Sequence, residues 1–203
     1  MKKRIDYFFG LSLDDYSLDE FNSLYTEIKK YTRIIGGVQD LDLILRGIKK
    51  TMNKKVKKIN VLMRVIVDGD SASTFHSKCD YKGPTLTLVI TDKNRKFGGF
   101  TSVGWDQSSS YKIDTKAFIF SFDNSEIYFP KNVNSQSAIY CHSSYGPTFG
   151  NGHDFYISNQ CKSNTSSYDN TPYHYNTQGK KNVLSIEYNF KVLDYEVYQL
   201  IFS

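Results

Sequence analysis

The sequence predicts an α+β chain, a helical hairpin followed by packed antiparallel sheets. Three observations carry this. Residues 17–52 hold two apolar stripes at helical spacing, parted by Gly36-Gly37. From about residue 59 the pattern changes to short strands broken by turn signals. Between these strands lies a hairpin signature: the alternating run 85–90, the polar turn Thr91-Asp92-Lys93-Asn94-Arg95, and the glycine-bearing run 97–105. Many strands with few helices between them favour antiparallel sheets over a parallel α/β fold.

Residues 1–16 read as irregular. The first helix starts at Ser17, because Ser17-x-x-Glu20 is a capping box. Leu18, Phe21, Leu24, Tyr25, Ile28 and Tyr31 form its apolar face, and Gly36-Gly37 is its predicted stop. Asp40 is placed to cap the second helix, whose stripe is Leu41, Ile44, Leu45, Ile48 and Met52. Both stripes need burial, and burial within this chain is the default. Residues 60–67 read as a strand or buried element. Ser71 caps a short helix that ends at Cys79, with Asp68 and Asp70 as further carboxylates near its start. In the hairpin, Gly98-Gly99 reads as a bulge, and Trp105 as a core residue beside Phe97 or Phe100.

Residues 117–122 are the cleanest strand, with Phe118, Phe120 and Phe122 on one face. The turn Asp123-Asn124-Ser125 leads into a strand at 126–129, which Pro130 stops. Strands at 138–142 and 154–157 flank a glycine-bearing loop at 146–154. Residues 158–182 hold few aliphatic anchors and many Ser, Asn and Thr, so this segment is expected to be the most mobile. Strands at 183–190 and 194–202 complete the chain. The natural division is an N-terminal helical segment, 1–58, and a sheet domain, 59–203.

The chain has 203 residues, 39% of them hydrophobic and 15% aromatic, enough for one core and a small appendage. No apolar run is long enough for a membrane-spanning helix. The basic start lacks the apolar stretch of a signal peptide. Three cysteines without a paired framework predict free thiols in a reducing, cytoplasmic setting. The net charge is +5, and all of it lies in residues 1–60, which hold thirteen Lys/Arg against eight Asp/Glu. Six lysines fall between Lys49 and Lys58. Such a cluster suits an acidic protein face, a membrane surface or nucleic acid, or is simply a solvated helix end.

The chemistry-bearing residues assemble no familiar catalytic motif. His76, Cys79, Cys141, His142, His153 and Cys161 lack the paired spacing of a structural zinc site, so no metal or cofactor is expected. There is no Gly-x-Ser-x-Gly elbow, and the loop at 146–154 lacks the Gly-Lys-Ser/Thr of a phosphate-binding loop. His153-Asp154 is an acid–base candidate, although adjacent residues rarely face each other; Asp154 more naturally caps amides of the glycine turn. Cys79, next to Lys78 and one turn from His76, is a redox candidate, against which stands burial on a helix face. No basic–aromatic stacking motif points to nucleic acid, so none is expected as a partner.

Several blocks occur together: Gly69-Asp70-Ser71, Phe75-His76-x-x-Cys79, Gly83-Pro84-Thr85-Leu86, Phe97-Gly98-Gly99-Phe100 and Trp105. The series continues through Phe118-Ile119-Phe120-Ser121, the block from Gly146 to Asp154, and Asp194-Tyr195-Glu196-Val197-Tyr198. In this order it resembles the TLDc domain shared by the oxidation-resistance proteins, over about residues 60–203, and most of all the protozoan branch. The resemblance implies a two-sheet antiparallel β-sandwich flanked by helices. It also implies a non-enzymatic cytosolic module that binds the vacuolar-type proton ATPase at the cytosolic face of acidic organelles, without inserting into the membrane, and serves oxidative-stress resistance. The chain departs from the animal-type pattern in having one His in the glycine block and no tryptophan in Tyr198-Gln199-Leu200-Ile201-Phe202. Lys54, Lys55, Lys58, His153, Asp154 and Glu196 are the partner-binding candidates. Two further readings remain: a redox-active thiol protein using Cys79, and a structural component of a larger assembly anchored by the N-terminal helices.

Overall fold

The computed structural model describes residues 16–132 and 136–203, so the reading of residues 1–15 as irregular lies outside it. Helix α1 (Leu18–Lys29) starts on the expected box: Ser17 Oγ accepts from the Glu20 amide at 3.2 Å, and the Ser17 amide donates to the Glu20 carboxylate at 2.7 Å. The helix ends well before Gly36-Gly37. The Thr32 hydroxyl accepts from the amides of Ile34 and Ile35 and turns the chain there. Gly37, not Asp40, is the residue preceding α2 (Val38–Met52); Asp40 lies inside the first turn and reaches back to the Gly36 amide at 2.6 Å.

Strand β1 (Val56–Arg64) begins earlier than its apolar run, so the division drawn after residue 58 falls within it. A single helical turn, α3 (Val65–Asp68), follows because Asp68 Oδ2 accepts from the Arg64 amide at 2.8 Å. Ser71 caps α4 (Ala72–Cys79) through the Thr74 amide at 3.1 Å. Neither Asp68 nor Asp70 adds to that cap: Asp68 also pairs with Lys78, and Asp70 accepts from the distant Lys162 amide.

The hairpin is β2 (Thr85–Thr91) and β3 (Lys96–Thr101). It contains no bulge at Gly98-Gly99: Leu88 faces Gly98 and Thr87 faces Gly99 in unbroken register. The glycines instead make room for rings on both sides of the sheet. A β-carbon at Gly98 would lie 2.6 Å from the Phe120 ring, and one at Gly99 would lie 2.7 Å from the Phe149 ring.

The remaining strands are β4 (Ser110–Lys112), β5 (Phe118–Ser121), β6 (Glu126–Tyr128), β7 (Ile139–Cys141), β8 (Tyr145–Phe149), β9 (Phe155–Ser158), β10 (Ser167–Asp169), β11 (Asn189–Phe190) and β12 (Val192–Phe202). They form two six-stranded sheets, ordered β1-β12-β2-β3-β5-β6 and β11-β10-β9-β8-β7-β4, with antiparallel pairing throughout. The predicted α+β sandwich is therefore the architecture.

Two apolar layers hold it together. In the first, Phe21, Ile28, Leu41, Ile44 and Ile48 of the helices pack with Leu86, Leu88, Phe100, Phe118 and Phe120 of the first sheet. Most of the helical stripes are thus buried within the chain, but Leu18 and Tyr31 at the two ends of the first stripe stay exposed. The second layer lies between the sheets and includes Phe75, Phe97, Trp105, Phe149, Phe155, Tyr175 and Tyr195. Trp105 is fully buried, but its neighbours are not those expected. It meets Phe75 and Phe149 edge-on, each at 5.5 Å, and its Nε1 donates to Thr85 Oγ1 at 2.9 Å.

Residues 158–182 are pinned rather than loose. Cys161, Ser167, Asp169, Thr171 and Tyr175 are all buried. Asp154 accepts from the amides of His174 and Tyr175 at 2.7 and 3.1 Å, and Asp169 from those of Thr171, Leu184 and Ser185. The segment predicted as a strand at 183–190 wraps around Asp169 as turns, and only Asn189–Phe190 pairs. Its anchors are polar groups inside the fold, which an apolar pattern does not reveal.

Candidate interaction surfaces

The lysines do not sit together on one helix end. Lys49 and Lys50 occupy the last turn of α2, which stops at Asn53 with φ 51°. Lys54 follows the helix, and Lys57 and Lys58 belong to β1, the edge strand of the first sheet. Lys50 lies 4.2 Å from the centre of the Phe129 ring, and Lys55 pairs with Glu20 at 3.2 Å. Lys54, Lys57 and Lys58 are exposed and have no acidic partner among the described residues. The positive surface therefore runs along a sheet edge. Lysines there also keep foreign strands from pairing with the open edge, a structural role for the same charges.

Glu196 is not at the surface. Its carboxylate is buried beneath the link between α1 and α2 and accepts from the Thr32 hydroxyl at 2.6 Å, the Arg33 amide at 2.9 Å and the Tyr198 hydroxyl at 2.8 Å. Three donors around one carboxylate tie the helical segment to the central strand β12. A partner cannot reach Glu196 without displacing that link.

His153 and Asp154 point apart. Asp154 is fully buried, and burial pushes its carboxyl up to about 7 against the amides that it accepts from. Those amides belong to residues 174 and 175, not to the glycine turn. The His153 backbone has φ 58°; its ring is half-buried, and burial pulls it below the usual histidine range. Its Nδ1 meets the Tyr168 hydroxyl at 2.8 Å, and the ring stacks on Tyr140 at 5.0 Å.

The thiols are enclosed. Cys79, Cys141 and Cys161 are buried and unlinked. Burial pushes Cys79 well above its ordinary value, Cys141 to about 11 and Cys161 to about 12. The side chains expected to activate Cys79 are engaged elsewhere. The ring nitrogens of His76 meet Asp80 at 2.8 Å and the His142 carbonyl at 2.9 Å, and Lys78 pairs with Asp68. A thiol reagent at neutral pH should therefore modify none of the three quickly in the folded chain and all three once urea unfolds it. Rapid folded-state modification of Cys79 would restore the redox reading. Among the described residues, no three His, Cys, Asp or Glu side chains come together to hold a metal ion.

Tyr140, Tyr156 and Tyr168 each sit between two buried neighbours, as in Phe155-Tyr156-Ile157, and so face outward from the second sheet. The alternation was legible, but which strands lie side by side was not.

The sequence pattern of the TLDc domain matches residues 21–201, which takes in most of α1, all of α2 and both sheets. A relative in Danio rerio, the mTOR-associated protein MEAK7, is 33% identical over 61 residues. That stretch is 30% of this chain and 14% of the relative, so this chain corresponds to only a small part of that protein.

Proposed function

The chain belongs to the TLDc domain family, and from that we propose that it is a non-enzymatic interaction module whose partner is the vacuolar-type proton ATPase, in the service of oxidative-stress resistance. A protein-interaction role is the common ground of the family match and the relative, which is itself named as mTOR-associated. The buried thiols support a role in binding over one in thiol catalysis. No helix among the described residues is long and apolar enough to cross a membrane, in keeping with contact through the ATPase. The N-terminal helices spend most of their apolar faces on the first sheet, which leaves charge as their main means of reaching a partner.

The observation that directs the test is the group of exposed lysines at and just before the start of β1, which have no acidic partner among the described residues. Immobilised vacuolar ATPase should capture the full chain, and capture should weaken as salt rises, because exposed charges are screened within about 8 Å at physiological ionic strength. Reversing Lys54, Lys57 and Lys58 to Glu should slow association about tenfold at low salt and flatten the salt dependence. The melting temperature should hardly move, since exposed charges contribute little to folding. Unchanged capture by the reversed chain would remove the lysine edge as the interface. No capture by the unaltered chain would remove the ATPase as the partner.

A further inference from the structure

Both ring nitrogens of His76 face acceptors. The residue lies on α4 and is buried, 4% exposed. Its Nδ1 is 2.8 Å from an Asp80 carboxylate oxygen, and its Nε2 is 2.9 Å from the carbonyl oxygen of His142. A peptide carbonyl has no hydrogen to give, so the hydrogen in the second contact sits on Nε2. An ionised carboxylate only accepts, so the hydrogen in the first contact sits on Nδ1. A neutral imidazole has one N–H and one lone pair, and satisfies only one of the two. The other contact would then set a lone pair against an oxygen at hydrogen-bond distance inside the fold. The imidazolium form satisfies both.

Both acceptors are held in place. The Asp80 amide donates to the His76 carbonyl at 3.1 Å, its second carboxylate oxygen accepts from Gln107 Nε2 at 3.2 Å, and the residue bridges to Trp105. The His142 carbonyl also accepts from the Tyr145 amide at 2.9 Å, which closes the turn between β7 and β8. The other ionisable groups on the surrounding elements have partners or are buried. On α4, Lys78 pairs with Asp68 at 2.8 Å, and the Cys79 thiol is buried. Ahead of β4, Asp106 pairs with Lys112 at 2.7 Å. On β7 and its turn, Cys141 is buried, and His142 Nδ1 accepts from the Ser144 amide at 3.1 Å. Asp80 is thus the counter-charge of His76, and a charge persists inside a fold when it is paired and hydrogen-bonded in this way.

Such an arrangement responds to protons. When His76 gives up one hydrogen, the remaining N–H can serve the carboxylate or the carbonyl but not both. The carboxylate is the stronger acceptor and belongs to the same end of α4, so the bond to His142 is the one lost. That bond joins α4 to the turn that follows β7. The folded chain offers the imidazolium two fixed acceptors, whereas the unfolded chain offers only water. The folded state therefore holds the proton more tightly, and the link contributes fully at low pH and is lost as pH rises. The His142 ring lies 4.5 Å from that of Tyr145, and both are only half-buried, so opening of the link reaches side chains in contact with solvent.

We propose that His76 is a buried imidazolium and acts as a proton-operated latch between α4 and the turn joining β7 to β8. The inference holds whether or not the ATPase is a partner. The test is a pH titration of the isotope-labelled full chain, folded and in urea, read by the NMR shifts of the histidine ring nitrogens and the backbone amides. At about pH 7.5, where a free imidazole is mostly neutral, the folded chain should show both His76 nitrogens protonated and the urea-unfolded chain only one. At higher pH one nitrogen should lose its hydrogen, and the Ser144 and Tyr145 amides should shift with the midpoint of His76 rather than that of His142. Asp80→Asn puts an amide in place of the carboxylate. Its NH2 can donate to Nδ1, so a neutral His76 then satisfies both contacts. In that variant only Nε2 should carry a hydrogen at about pH 7.5, and the turn amides should no longer shift as the pH rises further. A bare His76 nitrogen in the folded unaltered chain at that pH would overturn the proposal, whether or not the variant folds. So would turn amides that ignore the His76 midpoint, or two protonated nitrogens in the folded variant. A protonated Asp80 carboxyl beside a singly protonated ring, read from its carboxyl carbon shift, would overturn it as well.

Discussion

Trp105→Ala is expected to lower the stability of the fold by about 3–5 kcal/mol. Trp105 is fully buried between α4 and the second sheet, with Phe75 and Phe149 edge-on to it at 5.5 Å. Its carbonyl accepts from the Tyr81 amide at 3.0 Å, and it bridges to Asp80, so the residue fixes the chain that leaves α4 as well as filling space. Removing the indole deletes a large apolar contact and leaves a cavity that the rigid sheets cannot close. Trp105→Phe should cost less, about 2 kcal/mol, because the ring persists while the bond to Thr85 is lost. Urea unfolding followed by circular dichroism measures both variants, since Trp105 is the sole tryptophan. In the unaltered protein its fluorescence should be blue-shifted. An emission maximum typical of a water-exposed indole, or a loss below about 1 kcal/mol in the alanine variant, would contradict this placement.

Asp169→Ala should have an effect of similar size, about 3–4 kcal/mol, and a more local signature. The Asp169 carboxylate is fully buried and accepts from three backbone amides, at 3.0 Å from Thr171, 2.8 Å from Leu184 and 2.9 Å from Ser185, and from the Thr171 hydroxyl at 2.8 Å. Burial pushes the carboxyl up and these bonds oppose it. Alanine leaves the donors buried with no acceptor in a segment that has little apolar surface to hold it otherwise. Limited proteolysis should then cut first within 158–188, and hydrogen exchange there should rise before that of β2 and β12. Asp169→Asn tests charge separately from shape: its amide group would face donors with donors, so most of the loss should remain. An unchanged cutting pattern would mean that the polar segment is held by something other than this carboxylate.

What could be read from the residues alone was whatever is decided within a few positions of the chain. Ser17 and Glu20 satisfy each other's amides, and Ser71 satisfies that of Thr74, through contacts three residues apart. The alternation in 85–90 and the polar turn after it were enough to place the hairpin. The order of short motifs was enough for the family. The burial of Trp105 also follows from its size and apolar company, but the identity of its neighbours does not.

Only the tertiary structure decided the rest, because the deciding partners are distant in the chain. Thr32 meets Glu196, Asp154 meets the amides of residues 174 and 175, and Asp169 meets Leu184 and Ser185. In each case a residue type that is usually solvated is buried because its hydrogen bonds are satisfied inside, and hydropathy cannot register that. The same holds for Gly98 and Gly99, which serve the crossing rings of Phe120 and Phe149 rather than a bulge. A row of tyrosines on the second sheet is the clearest instance. Each of β10, β9, β8, β7 and β4 shows one outward phenol, and Tyr188 precedes β11, but only the strand order β11-β10-β9-β8-β7-β4 places successive phenols within about 6 Å, because neighbouring strands stand about 4.8 Å apart whatever their separation in sequence.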